Sequence, residues 1–288
     1  MTGPALLPVS HSSKEAYGRV VPHIIVAVGL FALLGAGGPL HGDRWFHALS
    51  RRVDAIELDL WPSLVLRVGA PLLAGVTVLW VLEAFLGGLA EALVGTALLY
   101  FSLGRGDYPT ELQRFLARAR VGDEEGAAML LSESSADREP GEARGQRALR
   151  NFAYRGFARW FPPVLYFWLL GPFGAAAYRL VVLANTESEG RFDAAQRLLD
   201  WLPSRLLLLT FCVLGDFERS KGLLTREVLD TEVTAETLLA QGVTRAWRLD
   251  DQELDEPQGV VTAVETAQKA MNRATGVWVV VASVLALL

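Results

Sequence analysis

The chain is poor in the residues that build covalent or metal-based scaffolds. Its one cysteine, Cys212, excludes a disulfide within the chain and any cysteine-based metal cluster. Lysine is also scarce, with only Lys14, Lys221 and Lys269, so arginine supplies most of the positive charge. The net charge of −5 and the absence of a basic tract predict that nucleic acid is not a partner.

Generic catalytic motifs are missing as well. The sequence contains no Walker A loop, no dinucleotide-binding glycine fingerprint, no HExxH and no GxSxG. The glycines at 35–38 end an apolar run and are typical of a helix terminator. His41, Asp43 and His47 match no standard metal spacing and are interpreted as surface or interface residues. The sequence therefore predicts no catalytic residues, no metal and no cofactor.

Long apolar runs are what the chain does have. Apolar residues make up 51% of it, and they gather into stretches near the roughly 20 residues that a spanning helix needs. The pattern predicts an all-α, polytopic membrane bundle with about five or six spans. The predicted spans are 20–40, 64–86, 89–103, 161–183, 198–214 and 274–288. The start of the chain lacks a signal-peptide pattern, so the first run is predicted to be a retained span.

The predicted spans differ in length and in how many polar residues or prolines they contain. The second and third are joined through Gly87-Gly88, which predicts a helical hairpin with a very short turn, and 161–183 is the strongest. The run 198–214 contains Asp200, Pro203 and Arg205, which favour a tilted or broken helix. The last run is about 22 Å long as a helix, so it needs local thinning of the bilayer or a helical extension upstream.

Two polar helical regions, 104–160 and 215–273, separate the runs. Thr110 is predicted to cap a helix beginning at Glu111, and a second short helix is expected over 124–131. The composition of 132–145 predicts a flexible linker. Arginines concentrate in 104–160, which places this region in the cytoplasm by the positive-inside rule. With six crossings, 215–273 is also cytoplasmic, whereas the link 184–197 and both termini lie outside.

Ionisable residues inside apolar runs are candidates for function, because a charge at bilayer depth faces a cavity or a partner. Arg67, Glu83 and Glu91 lie near the ends of their runs, where a structural role at the interface explains them. The deeper residues are Arg179, Asp200 and Arg205. A salt bridge from Asp200 to one of these arginines would satisfy both charges, and ligand binding there stays open.

A basic segment precedes the run 161–183. In RALRNFAYRGFARWF, Arg147, Asn151 (or Arg150) and Arg155 recur at helical spacing and share one face. One interpretation is a basic helix at the lipid headgroups. The other is an anion site for phosphate or carboxylate.

Four segments resemble a known family. FSLGRGDYPTELQRFL (101–116), with the motif residues Gly104, Arg105, Gly106 and Asp107, FWLLGPFGAAAYRL (167–180), LLDWLPSRLL (198–207) and the apolar C-terminus resemble AmpE proteins. AmpE proteins are bacterial inner-membrane proteins described as modulators of β-lactamase induction and of cell-wall stress signalling. The resemblance implies a multi-pass protein of the plasma membrane with a regulatory role in the response to antibiotic.

AmpE proteins are in turn similar to the CbiB/CobD adenosylcobinamide-phosphate synthases, which form an amide and consume ATP. Here the resemblance runs through Gly122-Asp123, the LLGPFGAAAYR block and Pro203-Ser204-Arg205. The chain departs from the acidic motifs of that family, with LLSES at 130–134, NFAYRG at 151–156, and Gln196 and Arg197 in place of paired aspartates. Metal-supported ATP chemistry needs such carboxylates to hold magnesium.

Three functional hypotheses follow. The first is a membrane-embedded signalling modulator that binds an anionic ligand in an arginine-lined cavity. Its candidate ligand-binding residues are Arg147, Asn151, Arg155, Arg179, Asp200 and Arg205. The second is an amide-forming enzyme with a changed substrate, which alone would require ATP and magnesium. The third is a structural membrane partner without a ligand. The lipid bilayer and an unidentified membrane protein are the expected macromolecular partners.

Overall fold

A computed structural model describes residues 42–103, 108–131 and 142–287, so the predicted span 20–40 lies outside the described residues. Within these ranges the chain forms ten α-helices and one short 3-10 helix, and the predicted all-α class is confirmed. The helices are α1 (Arg44–Asp54), α2 (Leu60–Leu86), α3 (Gly88–Ser102), α4 (Tyr108–Arg120), α5 (Glu124–Ala128), α6 (Arg144–Glu187), α7 (Asp193–Leu214), α8 (Phe217–Arg226), α9 (Ala235–Ala246) and α10 (Pro257–Leu287), with the 3-10 helix at Leu249–Asp251.

Helices α2 and α3 form the predicted hairpin. Gly87 adopts a φ of 57°, a left-handed conformation that suits glycine, and one residue therefore separates the two helices. The most apolar stretch of 18 residues in helix α2 has a mean hydropathy of 2.0, yet only 11% of this stretch is buried inside the structure. Trp80 and Phe85 are 74% and 82% exposed. A core helix of a soluble protein would bury such residues.

Helix α6 folds back on itself at Gly171. This residue has φ 73° and ψ −168°, a conformation open essentially to glycine alone. The hydroxyls of Tyr154 and Tyr178 reach the same carboxylate of Asp200, at 2.7 and 2.8 Å. A straight helix would hold the Cα atoms of these tyrosines about 36 Å apart. The helix therefore has two arms, residues 144–170 and 172–187, that approach each other.

Packing around the reversal is tight. Leu99 of α3 contacts Phe167 of the first arm and Ala175 of the second in one buried cluster. A Cβ atom added at Gly174 would lie 2.8 Å from the carbonyl oxygen of Tyr166, so only glycine fits there. By length and composition, α6 is, with α2, one of two described helices apolar enough to cross a membrane. Its reversal nevertheless differs from the single crossing predicted for 161–183, because a glycine-proline step interrupts the apolar run.

The polar ends of α6 and α10, together with α4, α5, α7, α8 and α9, form a separate helical unit that we call the head. Its core joins α6, α7, α9 and α10 through buried side chains including Leu149, Phe211, Val243 and Ala267. A second cluster packs α4 against α6 and α10 through Phe115, Phe152 and Val264. The amphipathic spacing of these helices places their apolar faces inside the head.

Helix α7 differs from its prediction. It is continuous over Asp193–Leu214 with Pro203 inside it, so the predicted break is absent. Leu207, Leu208 and Phe211 are fully buried against helices of the head. The second half of the run 198–214 is therefore head core, although its opposite face exposes Leu209 and Val213.

The remaining boundaries correct several expectations. Helix α4 begins at Tyr108, so Thr110 lies inside its first turn and is not its cap. Asp123 caps α5 by accepting a hydrogen bond from the Gly126 amide at 2.9 Å, and α5 ends at Ala128. The upstream extension of the last apolar run is present, because α10 begins at Pro257.

Candidate functional site

An open cleft of about 230 Å³ lies where the two arms of α6 meet the end of α3 and the start of α4. Three arginines, three tyrosines and one glutamate supply the charged and aromatic polar groups of its lining, which are Arg155, Arg159, Arg179, Tyr108, Tyr154, Tyr178 and Glu111. Three positive charges against one negative charge give the lining a formal charge of +2. The cleft is thus an arginine-lined recess between the head and the apolar hairpins, with the carboxylates of Asp43 and Asp200 directly behind its lining.

The reversal at Gly171 creates this concentration of charge. Arg155 and Arg159 lie one turn apart on the first arm, and Arg179 lies on the second arm. A straight helix would place Arg155 and Arg179 about 36 Å apart along its axis. The fold therefore brings together two of the arginines predicted as ligand-binding residues and adds a third.

Arg155 is held firmly at the wall of the cleft. Its guanidinium pairs with Glu111 of α4, donates to the Leu130 carbonyl at 3.3 Å and lies over the Phe152 ring at 5.6 Å from the ring centroid. The side chain is 27% exposed, so it keeps contact with the cleft while its position is fixed. Such pre-positioning lowers the entropic cost of binding an anion.

Arg179 is held more loosely. Its Nη2 atom contacts Asp43 Oδ2 at 3.4 Å, a long distance for a charged pair. Its Nε atom is buried and lacks a hydrogen-bond partner in the described part of the chain. A buried donor without a partner costs about 1–3 kcal/mol, which an anionic ligand would recover.

The tyrosines direct their protons away from the cleft. Tyr154 and Tyr178 donate to Asp200, and Tyr108 donates to the Phe152 carbonyl at 3.2 Å. Burial raises the pKa of Tyr108 to about 12, so its hydroxyl stays protonated at neutral pH. Arginine side chains therefore supply the charged donors that face a ligand.

Asp200 lies behind this wall and has other partners than expected. The predicted salt bridge to Arg179 or Arg205 is wrong, since its carboxylate accepts from the two tyrosines. Gln196 extends the network by donating to the Tyr154 hydroxyl at 2.7 Å. Asp200 therefore positions tyrosines of the cleft and is 3% exposed itself.

Arg205 lies away from the cleft. It donates to the carbonyls of Val228, Asp230 and Val233 and to the Ser204 hydroxyl, and its guanidinium lies over the Trp201 ring. Three of these hydrogen bonds fix the loop between α8 and α9, and the fourth goes to the neighbouring Ser204 within α7. Sequence alone could not reveal this, because the partners are backbone atoms.

Two further predicted residues also lie outside the cleft lining. Arg147 lines a separate, smaller pocket of about 50 Å³ together with Glu124 and Asp255. Asn151 is half-buried on the first arm and is not among the residues that line the cleft. The shared face predicted for 147–155 therefore divides between two recesses.

The motif residues Gly104, Arg105, Gly106 and Asp107 lie outside the described residues. Leu103 and Tyr108, which flank them, both line the cleft. Five of the polar lining residues were not predicted from the sequence: Arg159, Tyr108, Tyr154, Tyr178 and Glu111. The four-residue spacing of Arg155 and Arg159 could have indicated one of them.

The carboxylates do not gather as a magnesium site requires. Glu111 is the one acidic residue among the described residues that line the cleft, and it pairs with Arg155. Across the described ranges, no group of three or more His, Cys, Asp or Glu side chains is arranged to hold a metal ion. Comparison of the chain with protein-family models, with curated proteins and with solved structures finds no match.

Proposed function

We propose that the chain is a regulatory protein of the bacterial inner membrane, of the AmpE type, that binds an anionic ligand in the arginine-lined cleft. The observation that carries the proposal is the convergence of Arg155, Arg159 and Arg179 on one recess. Arginine recognises phosphate and carboxylate through paired N–H donors, and the partly buried setting strengthens each contact. The link to β-lactamase induction comes from the four resembling segments alone.

Membrane insertion is supported by the exposed apolar surface. Helix α2 is about 40 Å long, enough to cross the roughly 30 Å hydrocarbon core. Most of its apolar stretch is not covered by the rest of the chain. Exposed apolar side chains also occur at the hairpin tip and on the C-terminal end of α10, among them Phe85, Leu89, Val280 and Val284. Exposed apolar surface of this extent marks contact with a membrane or a partner.

The arrangement of crossings follows from the two hairpins. The α2–α3 hairpin enters the membrane and returns, and the arms of α6 enter to about half its depth and return at Gly171. Backbone that breaks at membrane depth is tolerated where protein buries it or a cavity adjoins it. The head and residues 188–192 then share the cytoplasmic side, in place of the six crossings expected from hydropathy.

The cleft lies near the membrane surface in this arrangement. Its anion could therefore be a soluble phosphate or carboxylate, or the headgroup of a lipid. Both sources share the same recognition chemistry. The amide-forming alternative lacks a supporting observation, since one carboxylate in the described lining does not provide a magnesium site.

The test is phosphate binding to the full chain purified in mild detergent. Equilibrium dialysis with labelled inorganic phosphate should give at least tenfold weaker binding for Arg179→Gln, because a charged hydrogen bond contributes about 1.5–3 kcal/mol. Arg114→Gln is the matched control, since Arg114 is exposed on α4 outside the cleft. In host cells, the first variant should shift the threshold of β-lactamase induction and the control should not.

Native mass spectrometry of the same preparation separates the two sources of anion. A co-purifying phospholipid that is lost in Arg179→Gln indicates a lipid headgroup, and a small soluble anion indicates a free ligand. Equal phosphate binding by the variant and the control would refute the anion site. Stabilisation by ATP with magnesium would favour the enzyme instead.

A further inference from the structure

Asp43 and Arg179 form an incomplete ion pair across two helices. One oxygen of Asp43 contacts Arg179 at 3.4 Å, and its other oxygen, Oδ1, is buried without a hydrogen-bond partner in the described part of the chain. The Nε atom of Arg179 is likewise buried without a hydrogen-bond partner in the described residues. Both side chains are 15% exposed. The pair thus leaves one acceptor and one donor unsatisfied, so it is a weaker partner for Arg179 than a bidentate anion would be.

Helix α1, which Asp43 precedes, is joined to α6 through a small number of polar contacts. His47 Nδ1 contacts Glu187 Oε1 at 2.7 Å, and Phe46 anchors the helix in an apolar cluster with Leu180 and Ala184. Ser50 of α1 and Glu187 Oε2 add further buried polar atoms without partners in the described residues. The polar contacts between α1 and α6 are therefore incompletely satisfied, whereas the buried Phe46 holds the helix in place.

We propose that Asp43 is a built-in counter-anion that competes with the ligand for Arg179, so that an anion entering the cleft releases Asp43 and loosens α1. This inference rests on the proposed anion site. A phosphate or carboxylate can accept from both Nε and Nη2 of Arg179, whereas Asp43 reaches Nη2 alone. Asp43 then sets the affinity of the site and converts occupancy into a movement of α1. That coupling is what a modulator requires, because a ligand acts only through its different affinity for two states.

The test compares Asp43→Asn with the wild type in the full, detergent-purified chain, again with labelled inorganic phosphate as the probe. Removing the competing charge should tighten phosphate binding roughly three- to tenfold, the range of a partly buried ion pair. Glu187→Gln is the matched control, because it weakens the other polar contact between α1 and α6 and leaves Arg179 untouched. Its phosphate affinity should equal that of the wild type.

Hydrogen exchange read by mass spectrometry tests the coupling. Phosphate should speed exchange of the amides of 44–54 in the wild type, and in Asp43→Asn these amides should exchange fast with or without phosphate. Tighter binding in Glu187→Gln as well would overturn the inference, since general loosening of α1 would then explain the effect. Unchanged phosphate affinity in Asp43→Asn would overturn it too. If the wild type binds phosphate through Arg179 in either of these cases, the proposed function stands; if it binds none, both fail.

Discussion

Asp216 shows how a single carboxylate fixes the entry to a helix. It caps α8 by accepting from the Arg219 amide at 3.2 Å, and it accepts from Arg248 at 3.0 and 2.7 Å. These contacts, led by the one with Arg248, hold the pKa of Asp216 below its usual value of 3.8. A lowered pKa stabilises the fold above the unfolded pKa, and this contribution is lost as pH falls through the folded pKa.

Asp216→Asn should therefore lower the melting temperature at pH 7, and the deficit should shrink as the pH approaches 3. Asparagine can still cap the helix, so the substitution isolates the charge. Thermal unfolding followed by circular dichroism across this pH range measures the effect. Asp59→Asn is the control, because Asp59 precedes α2 without a side-chain capping bond. A deficit that persists unchanged at pH 3 would contradict the assignment.

At this scale the sequence predicted residue types better than partners. Arg155 and Arg179 were both expected at an anion site, and both line the cleft. Their spacing could not show that Glu111 and Asp43 hold them, since these contacts join helices that are distant along the chain. Arg205 illustrates the same limit, because it binds carbonyl oxygens that every sequence contains.

At the scale of the element, Gly171 determines whether the cleft exists. Its conformation is essentially restricted to glycine, so Gly171→Ala should cost about 1–3 kcal/mol of folding stability. The same change should weaken phosphate binding, since it disfavours the geometry that brings Arg155 and Arg179 together. Thermal unfolding and equilibrium dialysis measure the two effects.

Gly69→Ala provides the comparison. Gly69 lies inside α2, and an added Cβ atom would have no other atom within 4 Å. Alanine is favoured over glycine in a helix interior, so this variant should be neutral or slightly more stable. If both variants behave alike, the reversal at Gly171 does not control the site.

The elements were predictable to the extent that local pattern decides them. Apolar periodicity and the Gly87-Gly88 step predicted the α2–α3 hairpin, and the described parts of the polar regions contain helices α4, α5, α8 and α9. The reversal in α6 was not predictable by hydropathy, because the Gly171-Pro172 step leaves the average hydropathy of residues 161–183 high in either arrangement. Nor could hydropathy show that α7 packs Leu207 and Phe211 into the head.

At the scale of the molecule, the proposed arrangement places the link between α6 and α7 on the side of the head. Hydropathy with six crossings places residues 184–197 outside the cell. The structure joins this region to the head instead, since Tyr154 of the first arm and Tyr178 of the second bind the same carboxylate of α7. The two arrangements differ in the side on which Ala194, an exposed residue of α7, lies.

Labelling of engineered cysteines with a membrane-impermeant maleimide in intact cells distinguishes the two arrangements. The chain suits this experiment, because its one native cysteine is buried. Gly88→Cys at the exposed tip of the α2–α3 hairpin should react in intact cells. Met129→Cys in the head and Ala194→Cys should react only after permeabilisation, because the arms of α6 return to the side from which they enter. Reaction of Ala194→Cys in intact cells would mean that α6 crosses the bilayer, and the cleft could then not join its two arms at one membrane surface.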